Sequence, residues 1–158
     1  MNQDKLRVRI HHELAQMEQA VVHTNRLLQK AELNNDADII DALISTCGLN
    51  MQSFYTSAEN ILYDIARVID GDVPNGKSWH SELLEQMTLP LPEIRDAVIS
   101  QQVLALLDEL RRFRHVVRSH YSFDLEHDRV KELSSKLGEC MEALKTDLQT
   151  FLLNLEQA

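Results

Sequence analysis

The sequence predicts an all-α protein, an antiparallel bundle of four long helices plus one short helix. Three observations lead there. Apolar residues recur at i, i+3, i+4 and i+7 almost from end to end, the period of a helix buried along one side. All three prolines fall in breaks between the periodic stretches, and there are only four glycines in 158 residues. No stretch alternates convincingly as a strand would. The length suits one domain with one core, so residues 1–158 are read as a single helical domain.

The first helix is expected from about Asp4 to Glu32. Its apolar line is Ile10, Leu14, Met17, Val21, Thr24, Leu28 and Ala31, with spacings of three and four that approach a heptad seam. Asn34, Asn35 and Asp36 stop it, and Asp36 or Asn35 can cap the next helix. That second helix, about Asp36 to Asp70, carries Ile40, Leu43, Ile44, Cys47, Met51, Phe54, Ala58, Ile61, Leu62, Ile65 and Val68. Gly48 inside it marks a close helix contact or a bend. Gly71 to Ser78 reads as a polar loop, with Gly71 at a C-cap and Pro74 in the turn. Ser78 then caps a short helix, Trp79 to Met87, with Trp79, Leu83 and Leu84 on one apolar side. His80, in its first turn, reads as solvent-facing, with a functional role as the alternative. After the break at Leu89–Pro92, Pro92 suits the first turn of a third long helix running to Ser119, with Glu93 at its positive end. Asp124 caps the last helix, where Val130, Leu133, Leu137, Met141, Leu144, Leu148, Phe151 and Leu155 form the line.

Composition removes several classes of function. No run approaches the 18 or so apolar residues of a membrane span, and the N-terminus lacks an apolar signal core. A cytoplasmic protein is expected, with Cys47 and Cys140 as buried thiols in a reducing compartment. GDVPNGKS at 71–78 satisfies the string of a phosphate-binding P-loop. The residues before it are helix-patterned, however, whereas a true P-loop follows a buried strand. His11, His12 and His23 lack the spacing and partners of a zinc site. No Glu-x-x-His pairs mark a di-iron bundle, and no nucleophile elbow occurs. No cofactor and no metal are predicted.

The segment that draws attention is Arg111–Asp124, RRFRHVVRSHYSFD, with four arginines, two histidines and a tyrosine on a chain of net charge -9. A basic knot on an acidic protein is a candidate anion site. The apolar line leading into it is Val103, Leu106, Leu107, Leu110, Phe113 and Val117. Arg114 lies seven residues after Leu107, within roughly 20° of that line, and Tyr121 follows seven residues later. A guanidinium in an apolar stripe needs a partner. Cations at this end of a helix also oppose its dipole, so part of the arginine excess has a structural use.

Arg114, five residues and then His120 resembles the Arg, four to six residues, His motif of the HEPN superfamily of helical ribonucleases. The surrounding FRHVVRSHYSFDL, and the WH with paired leucines at 79–84, are similar to the HepT-like toxins of that superfamily. The family usually has a polar residue, often Asn or Asp, directly after the arginine, and here it is His115. The resemblance implies a metal-independent endoribonuclease that uses the 2′-hydroxyl of RNA as nucleophile. His120 would be the base or acid and Arg114 the phosphate clamp. His115 would orient them, with Arg118 and Tyr121 assisting substrate contact. It further implies a homodimer and a nucleotidyltransferase-like (MNT-type) antitoxin as partner. That antitoxin modifies, in the family, a tyrosine two residues after the histidine. Here Ser122 holds that position and Tyr121 adjoins His120, so Tyr121 is the candidate for nucleotidylation. The competing reading is a non-enzymatic helical adaptor whose arginines meet an acidic partner.

Overall fold

A computed structural model describes residues 2–119 and 127–157, with side chains followed to Arg114 and again from His127. Its helices are α1 (Gln3–Glu32), α2 (Ala37–Ile65), α3 (Trp79–Thr88), α4 (Gln101–Ser119), α5 (His127–Ser135) and α6 (Leu137–Glu156), and a five-residue π-helical turn, Ala66–Asp70, extends α2. The predicted all-α bundle is what forms. None of the described helices is long and apolar enough to cross a membrane.

Local chemistry sets the first two helices. Asn2 caps α1 by accepting from the Lys5 amide at 2.9 Å. Asp36 caps α2 by accepting from the amides of Asp38 and Ile39, which satisfies donors that a helix start leaves without partners. The two helices then lie antiparallel, as polar pairs along their seam show. Arg9 meets Asp64, Glu13 meets Asn60 and His23 meets Asn50. α6 runs antiparallel to α1 through Lys145–Glu18 and Arg7–Glu156. It also runs antiparallel to α4, where Asp147 accepts from the Ser100 amide and Gln102 meets Glu139. Four directions, up, down, up and down, result from these pairs. The core between them includes Leu6, Ile10, Met17, Ile44, Phe54, Tyr55, Leu62, Val103, Leu107, Leu144 and Leu148.

Two boundaries differ from the sequence reading. The helix expected from Pro92 begins at Gln101. The intervening chain turns back on itself instead, with the Leu91 amide bonded to the Arg95 carbonyl at 2.9 Å and Glu93 at φ 67°. The cause is Arg95, whose side chain and that of its partner Asp70 are each 1% exposed. Its guanidinium donates to Asp70 Oδ2 at 2.7 Å and to the carbonyls of Leu89, Asp96 and Gln86. Non-helical carbonyls thereby gain donors, and the loop is fixed by a buried charge rather than by periodicity. The last helix is also divided, at Lys136. Ser135 turns its hydroxyl back to the Glu132 carbonyl at 2.6 Å, and Gly138 comes soon after. Both residue types weaken a continuous helix.

Asp124, the expected cap of the last helix, lies outside the described residues, and the expectations for the loop at 71–78 divide. Gly71 ends the π turn in the left-handed region at φ 71°, a conformation glycine adopts without a Cβ penalty. The P-loop look-alike therefore follows a helix, and among the described residues there is no strand before it. Ser78 starts α3 without a side-chain cap bond, which departs from its expected capping role.

Candidate active site

α2 buries a stripe that includes Met51, Tyr55, Ala58, Leu62 and Ile65, and Glu59 falls inside it. A carboxylate there must find donors, because an unpaired buried charge is costly. Glu59 finds them on three elements. Tyr55, one turn earlier, donates its hydroxyl to Oε2 at 2.8 Å. His80, in the first turn of α3, brings Nδ1 to 2.6 Å from the same oxygen. Arg114, from α4, places Nη1 3.7 Å from Oε1. The guanidinium also lies over the Tyr55 ring, with Cζ 5.8 Å from the centroid, within cation–π range.

These contacts define the electrostatics. Burial pushes the Tyr55 phenol well above its ordinary value, and the charge and hydrogen bond of Glu59 push in the same direction. The phenol stays neutral and remains a donor. An ionised carboxylate only accepts, so the hydrogen on Nδ1 belongs to His80, and its Nε2 is left for other work. The Arg114–Glu59 separation is an ionic contact longer than a hydrogen bond. Among the described residues Arg114 makes no hydrogen bond, so its fork of donors can serve an anionic ligand.

The rest of the basic segment divides. Arg111 and Arg112 both pair with Asp108 of their own helix, at 2.8 and 3.0 Å. Those two cations are local structure, as arginines beside acids generally are. The side chains of His115 and Arg118 lie outside the described residues, as do His120 and Tyr121 entirely. The partner that Arg114 was expected to need is supplied within the chain by Glu59.

Two site residues were not read from the sequence as such. His80 is not a free solvent-facing side chain; it is bonded to the carboxylate that faces Arg114. Glu59 had a legible signal, since it sits four residues after Tyr55 and three before Leu62 on a buried helix line. An acid in that phase calls for partners as surely as Arg114 does. By contrast, His11, His12 and His23 are exposed, and no group of three or more possible ligands that could hold a metal occurs among the described residues.

The family model described as HepT-like protein matches residues 46–155, well over half of the chain and including Glu59, His80 and Arg114. No curated protein and no solved structure matches. The match takes in the helices that carry the candidate site, and the chain belongs to the HepT-like family of the HEPN superfamily.

Proposed function

We propose that the protein is a metal-independent endoribonuclease and the toxin of a toxin–antitoxin pair. The observation that carries this reading is the setting of Arg114. It is the arginine of the family motif, it stands in an apolar helix face, and it is held beside a buried carboxylate, its donors making no hydrogen bond among the described residues. In the reaction, His120 takes the proton of a 2′-hydroxyl and the oxygen attacks the adjacent phosphorus. The bond to the 5′-oxygen breaks, leaving a 2′,3′-cyclic phosphate and a 5′-hydroxyl end. Arg114 opposes the charge that grows on the phosphate oxygens. General acid–base help of this type contributes about 10² to 10⁴ in rate. His115 fills the polar position beside Arg114, and Arg118 and Tyr121 contact the RNA.

Purified protein incubated with RNA tests the reading. Fragments with cyclic-phosphate ends support it. Intact RNA at high protein concentration overturns it and favours the helical adaptor.

The partners belong to the same proposal. A homodimer brings two motifs across one cleft, although Arg114 no longer requires a second copy for its counter-charge. Sedimentation showing an active monomer at micromolar concentration overturns the dimer. A nucleotidyltransferase-like antitoxin silences the protein by adding nucleotide to Tyr121, where a bulky anion occupies the cleft. Intact-mass analysis after incubation with that partner and ATP checks this, and an unchanged mass refutes it.

A further inference from the structure

Among the described residues, His80 has one ring nitrogen committed and one uncommitted. Nδ1 is fixed at 2.6 Å on Glu59, and among the described residues no protein atom bonds Nε2. The imidazole side chain is 34% exposed, while that of Glu59 is 8% exposed. One face of the ring is also covered. It stacks on the Trp79 indole, with centroids 3.7 Å apart and planes at 29°. Trp79 is in turn braced edge-on by Tyr63 at 5.9 Å. Among the described residues, Glu59 of α2 bonds His80 and on the same oxygen accepts from Tyr55, with Arg114 of α4 beside its other oxygen. A histidine serving only to fill space needs neither a fixed tautomer nor an open nitrogen. An imidazole that hands a proton to a substrate needs both, and a buried carboxylate behind it supplies the counter-charge of its protonated form.

We propose that His80 is a second catalytic residue, the general acid that delivers its Nε2 proton to the departing 5′-oxygen. The proposal rests on the ribonuclease reading of the site. Cleavage by 2′-hydroxyl attack takes one proton and gives one. His120 accepts the proton of the 2′-hydroxyl as the 2′-oxygen–phosphorus bond forms. As the phosphorus–5′-oxygen bond breaks, its electron pair stays on the oxygen, which takes the proton from His80. The enzyme is left with a protonated His120 and a neutral His80, and exchange with water restores both. Arg114 and His80 touch opposite oxygens of one carboxylate, so a phosphate on the guanidinium stands beside the imidazole.

The test compares two RNA oligonucleotides with full-length protein. One is ordinary RNA. The other carries sulfur in place of the bridging 5′-oxygen at the mapped scissile position, so its leaving thiolate departs without a proton. His80→Gln and His80→Ala are expected to slow cleavage of ordinary RNA by about 10²-fold or more and to leave cleavage of the sulfur-bridged RNA at the wild-type rate. The alkaline limb of the pH–rate profile on ordinary RNA is expected to disappear. Gln keeps a donor for Glu59, so it separates proton transfer from packing. Equal losses on both substrates make His80 structural and overturn the proposal. So does unchanged cleavage of ordinary RNA. Those results leave the ribonuclease reading standing if Arg114→Ala remains inactive. Wild-type protein that cleaves neither substrate overturns both.

Discussion

Arg114 Nη1 and Glu59 Oε1 are 3.7 Å apart, and they bring the third quarter of the chain onto the buried face of α2. The contact is close enough to hold the cation in place and too long to consume its hydrogen bonds. Glu59 is itself satisfied by Tyr55 and His80. Arg114 can therefore shift toward a phosphate without leaving a bare carboxylate in the core.

That relationship makes Glu59 a positioning residue. Glu59→Gln keeps an acceptor for Tyr55 but removes the charge that orients Arg114 and His80. RNA cleavage is expected to fall by about 10²-fold, the scale of loss when a reacting group is misplaced by about 1 Å. Steady-state kinetics beside circular dichroism checks this. Wild-type rates in a folded Glu59→Gln protein refute it.

Arg114→Ala and His120→Ala are each expected to abolish cleavage and any growth arrest with the helical signal intact. Arg114→Lys is not expected to rescue, since an ammonium lacks the planar fork that meets phosphate bidentately. Activity is expected to persist in excess EDTA. Lys77→Ala, in the P-loop look-alike, is expected to be neutral. Cleavage by pure, folded His120→Ala at the wild-type rate, or loss of wild-type activity on chelation, contradicts the mechanism.

Arg95 and Asp70 form a pair shielded from water on both sides. Removing one partner strands the other charge, so Arg95→Ala or Asp70→Ala is expected to cost about 3–5 kcal/mol. Replacing both by apolar residues of similar volume should cost less than either single change. Urea unfolding of the two single variants and the double variant measures this, and a double variant weaker than both singles counts against it.

Cys140 gives a pH-dependent prediction. Burial pushes its thiol from 9.0 up to about 12, with the charge of Glu139 adding to the effect. The folded state keeps the proton over a range where the unfolded chain releases it. The unfolded state therefore binds fewer protons between about pH 9 and 12, and stability falls across that window. Cys140→Ala should flatten this part of the alkaline loss. Denaturant midpoints for wild type and variant, at pH 7.5 and pH 10, give the comparison. Parallel slopes for the two proteins would show that the thiol contributes nothing.

The sequence by itself determined the helices, because a 3.6-residue apolar period leaves few other ways to bury a stripe. Asp36 at the start of α2 and Gly71 after the π turn were legible for equally local reasons, a capping oxygen and a missing Cβ. The family was legible too, in Arg114 and the residues around it, since those motif residues lie within one short stretch of chain. What tertiary structure decided involves partners far apart along the chain. The pull of Asp70 on Arg95 delayed α4 from Pro92 to Gln101, and no helical period encodes a bond between residues 25 apart. Glu59, His80 and Arg114 likewise sit on three different helices. Arg114 called for a partner from its phase alone, but nothing in the sequence named Glu59 as that partner or tied His80 to either. Only the packing of α2 against α3 and α4 brought His80 and Arg114 to the carboxylate of Glu59, because a buried charge takes whichever donors the fold brings within reach.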